Sequence, residues 1–162
     1  MKKILIIFLV IAGICSVYEF TRKKNNYSFS DTGIVYGNPD AENKLVIFTS
    51  FQCEKCEQFS KSISATVKDM IKSGEYCIVI KPVNKTFYQI DNCMNLKYEE
   101  LEGYYNKPVE VKKITNENAE ILKTIENEMD DNDIDVIPMY FYNGKKYGGT
   151  SDVEFKEVVS GK

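Results

Sequence analysis

The sequence predicts one α/β domain with a central mixed sheet flanked by helices, and three observations carry this prediction. Residues 45–48 (LVIF) form a short, wholly apolar run, which is typical of a strand covered on both faces of a sheet. From Phe59 to Ile71 the apolar residues recur at every third or fourth position, the period of an amphipathic helix. Residues 76–81 (YCIVIK) are a second apolar run. The three segments therefore predict a β-α-β unit with parallel strands.

Short elements surround this unit. Residues 34–36 are a candidate first strand, and the Gly-Asn-Pro-Asp sequence at 37–40 is a strong turn signal. The central helix is expected to end near Gly74, and Pro82 is expected to end the second apolar strand.

Residues 84–133 predict a helical insertion. Apolar residues recur loosely at helical spacing in its first half, until Gly103 and Pro108 break the pattern. A more regular helical stripe follows over residues 119–129, with residues 115–116 as candidate caps.

The last section predicts a hairpin and a closing helix. An aromatic strand at 139–142 is followed by Asn-Gly at 143–144, the sequence of a tight hairpin, and by a return strand at 145–147. The closing helix is expected to begin at residues 151–152. The Ile137–Pro138 bond, at the start of a strand, is a candidate cis peptide.

Two cysteines spaced C-x-x-C lie where the apolar strand runs into the helix. Cys53 is placed at the helix N-terminus, where unpaired N–H groups and the positive end of the helix dipole favour a thiolate. The thiolate is the form that attacks disulfides. Cys56, one turn further in, is placed to resolve a mixed disulfide. The alternatives are a structural disulfide or two core thiols.

Composition excludes several classes of site. The formal net charge of −3 argues against nucleic acid as a partner, and the absence of His excludes His-based triads and His metal ligands. The acidic run at 130–133 lacks EF-hand spacing, and only one cysteine pair has zinc-ligand spacing. We therefore expect no metal site.

Residues 1–20 predict a leader with two lysines followed by an apolar stretch. Cleavage as a signal peptide, membrane anchoring through residues 4–17 and lipidation of Cys15 are three open alternatives. Each places the domain in a periplasmic or other extracytoplasmic location, where disulfides persist. Residues 21–33 are expected to be a linker, and residues 34–162 the domain.

Three segments together carry a family resemblance. FTSFQCEKC at 48–56, GNPDAENKLVIF at 37–48 and IPMYFYNGKKYGG at 137–149 resemble the DsbA-like thiol-disulfide oxidoreductases of the thioredoxin superfamily. The resemblance covers residues 34–160. It implies a thioredoxin-like fold with a short helical insertion before the cis-proline strand.

The resemblance also implies roles for individual residues. Cys53 matches the nucleophile and Cys56 the resolving cysteine, while Pro138 matches the cis-proline that faces the disulfide. The main chain of Ile137 is expected to pair with an extended substrate segment. Phe51, Ile137 and Met139 form a candidate docking patch, with core packing as the alternative for each.

Two departures from the family pattern matter. Glu54 and Lys55 stand between the cysteines and are expected to tune the acidity of Cys53 in opposite directions, giving a couple less oxidising than a strong disulfide donor. Ile47 stands where the family often has an acid, six residues before the nucleophile. Water or Glu57 is therefore expected to accept the proton of Cys56.

The combined prediction is an exported enzyme that exchanges disulfides with secreted proteins and with a membrane redox partner. Its redox-active Cys53–Cys56 disulfide needs no diffusible cofactor, and the direction of exchange stays open. The alternative function is a thioredoxin-like binding module with a structural or inert cysteine pair. Cys77 and Cys93 are either a second disulfide or buried free thiols.

Overall fold

A computed structural model describes residues 26–108, 110–149 and 151–161. The predicted leader at residues 1–20, with its anchoring and lipidation alternatives, lies outside them. Within the described ranges, no helix has both the length and the apolar character needed to cross a membrane. The strands are β1 (Ile34–Gly37), β2 (Asn43–Thr49), β3 (Tyr76–Pro82), β4 (Met139–Tyr142) and β5 (Lys145–Gly148), and the helices are α1 (Glu54–Ser73), α2 (Tyr98–Glu102), α3 (Asn116–Asp131) and α4 (Asp152–Ser160).

The five strands form one mixed sheet in the order β1-β3-β2-β4-β5. β2 and β3 are parallel, and the other neighbouring pairs are antiparallel. β2 lies in the middle, so both of its faces are covered, and Leu45 and Phe48 are fully buried. The predicted β-α-β unit and mixed sheet are confirmed.

Helix α1 follows the sequence pattern closely. Its buried stripe faces the sheet and consists of Cys56, Phe59, Ile63, Val67 and Met70. The helix ends at Gly74, which has a left-handed backbone (φ 70°) that glycine adopts without steric cost. At the other end of the chain, Asn143 and Gly144 both have positive φ, as a two-residue hairpin turn requires.

Side chains alternate between the two faces of the sheet, and each face carries its own helices. On the first face, Phe59 of α1 stacks on Tyr140 at 5.7 Å and packs edge-on against Phe155 of α4 at 6.0 Å. On the second face, Glu128 of α3 forms an ion pair with Lys81 of β3. We refer to these as the α1 face and the α3 face.

The insertion is less regular than predicted in its first half. Residues Phe87–Gln89 and Cys93–Asn95 are 3-10 turns, and α2 is a single short helix. Asn92 has a left-handed backbone (φ 54°), which interrupts any continuous helix. The second half is α3 as predicted, capped by the Thr115 hydroxyl, which accepts a hydrogen bond from the Asn118 N–H (3.1 Å).

Candidate active site

The two cysteines of the C-x-x-C motif have different surroundings. Cys53 is the N-cap residue of α1, with an extended backbone, and its carbonyl accepts a hydrogen bond from the Glu57 N–H (3.0 Å). Its side chain is half-buried, whereas Cys56 is only 1% exposed. Both are free thiols. Cys53 is therefore the sulfur within reach of another protein, and Cys56 lies behind it.

Cys53 lies at the N-terminal end of a long helix. Helix α1 has 20 residues, and no described side chain caps its first turn. The free N–H groups and the positive end of the helix dipole therefore act on the N-cap sulfur. Glu54 and Lys55 are both exposed, and the Glu54 carboxylate accepts a hydrogen bond from Gln58 (3.1 Å).

The loop before Cys53 is fixed by the insertion. The Phe51 N–H donates to the Asn84 side chain (3.2 Å), and the Phe51 carbonyl accepts from the Asn106 N–H (2.8 Å). The Cys53 N–H closes a turn onto the Ser50 carbonyl (3.2 Å). Residues that are distant in sequence thus hold the loop in one conformation.

Burial is the main influence on Cys56. It raises the pKa of the thiol to about 11, and a hydrogen bond with Cys53 adds to this rise. Contacts with the main chain of Ser50 and with the hydroxyl of Thr49 lower the pKa and offset part of the effect. Cys56 is consequently protonated at neutral pH and must lose a proton before it can attack a disulfide.

Sequence reasoning missed a buried group of hydroxyls beside Cys56. Thr49 Oγ1 and the Tyr105 hydroxyl are 2.9 Å apart, and Ser60 lines the same small cavity as both. Burial raises the pKa of Tyr105 to about 12. We call Thr49, Tyr105 and Ser60 the hydroxyl cluster. Thr49, a polar residue at the end of an apolar strand, is the one signal in the sequence that could have revealed it.

The structure shows the surroundings of Ile47 and Glu57, the two residues that the sequence analysis related to the loss of the Cys56 proton. Ile47 lies on the α1 face and lines the same small cavity as Cys56. Its apolar side chain thus occupies the position at which the family often has an acid. Glu57 is hydrogen-bonded by Lys61 (2.6 Å) and by Asn106. The Lys61 contact, followed by the Asn106 contact, lowers the pKa of Glu57, which favours its carboxylate.

The Ile137–Pro138 peptide bond is cis, and Pro138 is buried. It directly precedes β4, whose first residue, Met139, pairs with Phe48 near the end of β2. Because β2 and β4 are antiparallel, the proline before β4 lies next to the C-terminal end of β2, from which the cysteine loop departs. The topology thus brings Pro138 and Cys53 to the same end of the β2–β4 strand pair. Ile137 is half-buried there.

The proposed docking patch needs correction at two residues. Phe51 is 4% exposed and stacks between Phe87 (4.7 Å) and Tyr105 (4.5 Å), while Met139 is 5% exposed. Both side chains belong to the core, and Phe51 is covered by Phe87 and Tyr105 of the insertion. Phe51 contributes to the wall of an open groove of about 490 Å³, which also includes Gln52 of the cysteine loop.

Cys77 and Cys93 are buried free thiols, so the alternative of a second disulfide is wrong for this structure. Cys77 lies in β3, in register with Gly37 and Lys44 of its neighbouring strands. Cys93 lies in the insertion, where its sulfur accepts a hydrogen bond from the Asn118 amide (3.5 Å). Burial raises the pKa of both thiols, which makes them inert.

Comparisons with known proteins agree with this geometry. A family model described as Thioredoxin matches residues 30–102. A conserved protein of unknown function from Enterococcus faecalis V583 is similar in structure, with a TM-score of 0.62 and 18% identity, over 83% of this chain and 93% of that one. Oxidised BdbD from Bacillus subtilis has a TM-score of 0.63 and 16% identity, over 85% and 97% of the two chains.

MdbA, a thiol-disulfide oxidoreductase from Actinomyces oris, has a TM-score of 0.51 and 15% identity, over 82% of this chain and 86% of that one. A search of curated proteins finds no match to the chain. The family match and the structural neighbours confirm the predicted thioredoxin fold.

Proposed function

We propose that this thioredoxin-superfamily chain, which resembles the DsbA-like thiol-disulfide oxidoreductases, exchanges disulfides with exported proteins through Cys53 and Cys56. The observation that carries the proposal is the asymmetry of the two sulfurs. Cys53 is accessible at a helix N-terminus, and Cys56 is buried one turn behind it with its thiol proton retained.

This asymmetry supports a two-step exchange. The Cys53 thiolate attacks a substrate disulfide, one substrate sulfur leaves as a thiolate, and a mixed disulfide forms. Cys56 then loses its proton and attacks the Cys53 sulfur, which releases the second substrate sulfur and closes the Cys53–Cys56 disulfide. Run in reverse, the same steps oxidise a substrate dithiol. The redox-active pair needs no diffusible cofactor.

The end of the β2–β4 strand pair beside the cysteine loop supports substrate binding by main-chain pairing. The half-buried Ile137 and the cis-proline Pro138 lie at this end, and an extended substrate segment can pair with the main chain there. We assign substrate positioning to these two residues.

The remaining parts of the proposal rest on the sequence. The leader places the domain in an extracytoplasmic or periplasmic compartment, either secreted or anchored through residues 4–17. A membrane redox partner would return the pair to its working oxidation state, and potential differences between partners set the direction of exchange.

The test is the reduction potential of the Cys53–Cys56 couple in the full-length protein, combined with trapping by a Cys56→Ala variant. We expect a couple less oxidising than the roughly −120 mV of a strong disulfide donor and more oxidising than the roughly −270 mV of a cytosolic reductant. The Cys56→Ala variant should accumulate mixed disulfides, and a Cys53→Ala variant should not.

The same experiment decides against the alternatives. A potential near that of cytosolic reductants would remove the oxidase version of the proposal. A bridge that resists every dithiol reductant, together with no mixed disulfide in the Cys56→Ala variant, would favour the binding module with a structural cysteine pair.

A further inference from the structure

Cys56 is a buried thiol that has to give up a proton in the course of the reaction. Its sulfur is 1% exposed, and burial holds its pKa well above neutrality. A proton cannot pass from such a group directly into bulk water. The groups that surround Cys56 therefore determine how the second step of exchange proceeds.

The cavity beside Cys56 is small and has polar and apolar sides. Its volume is about 10 Å³, at the lower limit of the space that one water molecule needs. Ile47, Phe59 and Ile80 form part of its apolar wall, and the polar wall is the hydroxyl cluster together with Tyr98. Among the described residues that line it, none carries a carboxylate or an amine.

The hydroxyl cluster lines the same cavity as the Cys56 sulfur. The Thr49 hydroxyl acts on the Cys56 thiol and lies 2.9 Å from the Tyr105 hydroxyl. Ser60 lines the same small cavity as Tyr105 and Tyr98. Tyr105 is 7% exposed, whereas Ser60, on α1, is half-buried and so meets solvent. The three hydroxyls and the buried thiol thus line one small cavity, and one of the three residues is partly exposed to solvent.

We propose that the hydroxyls of Thr49, Tyr105 and Ser60 relay the Cys56 proton to solvent when Cys56 resolves the mixed disulfide. This inference rests on the proposed exchange activity and deepens it. As the Cys56–Cys53 bond forms and the Cys53–substrate bond breaks, the thiol proton passes to Thr49 and the Thr49 proton to Tyr105. The Tyr105 proton passes to Ser60, and Ser60 releases one to water.

Each hydroxyl gains one proton and loses one, so no residue of the relay changes its charge. The bonding electrons of the broken disulfide leave with the substrate sulfur, which takes a proton from solvent. A hydroxyl can donate and accept at the same time, which suits it to this use where an apolar wall disfavours a charged base. Thr49, Tyr105 and Ser60 act through Cys56 and are positioning residues.

The experiment separates the two steps in the reduced full-length protein, with Cys15→Ser in every variant to remove the leader thiol, using excess 5,5′-dithiobis(2-nitrobenzoate). The first thionitrobenzoate is released when Cys53 attacks the reagent, and the second when Cys56 resolves the mixed disulfide. Stopped-flow absorbance gives one rate for each step. The variants are Thr49→Val and Tyr105→Phe, which remove a hydroxyl and keep the packing volume, with Tyr104→Phe in the adjacent groove as matched control.

We expect Thr49→Val and Tyr105→Phe to slow the second release about tenfold each and to leave the first unchanged, since one internal hydrogen bond is worth roughly that factor. The double variant should be no slower than the slower single variant, because the two hydroxyls act in series. In the wild type, heavy water should slow the second release more than the first. Tyr104→Phe should change neither rate.

Three results would overturn the relay: a second release in Tyr105→Phe at the wild-type rate, an equal slowing of both steps, or a second release without a larger effect of heavy water. A circular dichroism melt of each variant identifies an equal slowing that comes from unfolding. Absence of the first release in the wild type would instead refute the proposed function, since Cys53 would then be unreactive.

Discussion

The two faces of the central sheet both bury polar groups, but of opposite character. On the α3 face, Lys81 is fully buried, and its ammonium forms an ion pair with Glu128 (2.6 Å) and donates to the Thr32 carbonyl (2.6 Å). On the α1 face, the polar groups include the Cys56 thiol, the hydroxyl cluster and the Tyr140 hydroxyl, all of them neutral when protonated.

The difference separates an ionic contact that holds the fold together from a neutral cavity beside the candidate resolving cysteine. Glu128 also accepts hydrogen bonds from the N–H (2.8 Å) and hydroxyl (2.7 Å) of Ser30, so the ion pair ties α3 and the N-terminal segment to the sheet. The cavity beside Cys56 has neutral hydroxyls and apolar side chains, with no carboxylate or amine among the described residues that line it. In the proposed relay, these neutral hydroxyls pass the Cys56 proton to solvent.

The largest change in unfolding free energy is expected from removing the buried ion pair on the α3 face. Glu128→Gln leaves the Lys81 ammonium buried without a counter-charge, which should cost about 3–5 kcal/mol of unfolding free energy. Urea unfolding followed by circular dichroism measures the loss. Lys156→Met, which breaks the exposed pair with Asp152, is the control and should change stability by less than about 1 kcal/mol.

A loss of similar size in both variants would mean that the buried pair has no special role. Replacing Lys81 by Met in the Glu128→Gln background should recover much of the lost stability, because the uncompensated charge is then removed.

On the α1 face we expect a change of intermediate size in the unfolding free energy at alkaline pH. The pKa of Cys56 is raised from 9.0 to about 11 by folding, so the unfolded chain loses this proton first. The contribution to stability is complete below pH 9 and is lost as the pH rises to about 11. Between these values the reduced wild type should lose roughly 2 kcal/mol more than Cys56→Ala.

Urea unfolding of both reduced proteins at the two pH values measures this difference. Each protein serves as its own baseline, so the cavity left by the substitution cancels. Equal losses in the two proteins would show that folding does not hold the Cys56 proton.

The smallest effect is expected on the reduction potential, from the exposed charged residues Glu54 and Lys55 between the two cysteines. Glu54→Gln should make the Cys53–Cys56 couple more oxidising by about 10 to 20 mV, and Lys55→Gln should make it less oxidising by a similar amount. The reason is that removing a negative charge near the helix start stabilises the thiolate of the reduced form. Equilibration with glutathione measures both shifts, and two shifts of the same sign would contradict the tuning roles.

Local patterns in the sequence were enough to predict most of the fold. The apolar run of β2, the helical stripe ending at Gly74 and the Asn-Gly hairpin each rest on a preference that acts within a few residues. The first half of the insertion was predicted less well. There, Asn92 adopts a left-handed conformation that no periodic pattern signals.

The polar interior could not be predicted, because it depends on residues that are distant in sequence. Lys81 was placed at the end of a strand, and its burial depends on Glu128, which lies on α3. Tyr105 lies in an irregular stretch before Pro108, and only the folded insertion places its hydroxyl next to Thr49. Burial of Phe51 likewise depends on Phe87 and Tyr105 of the insertion.

Alkylation of the reduced, full-length protein with iodoacetamide at neutral pH tests the central claim most directly, with peptide mass spectrometry reading each cysteine separately. We predict that Cys53 reacts several times faster than free N-acetylcysteine, and that Cys56, Cys77 and Cys93 stay largely unmodified over the same period. A Cys53 that reacts no faster than N-acetylcysteine would contradict its role as the nucleophile.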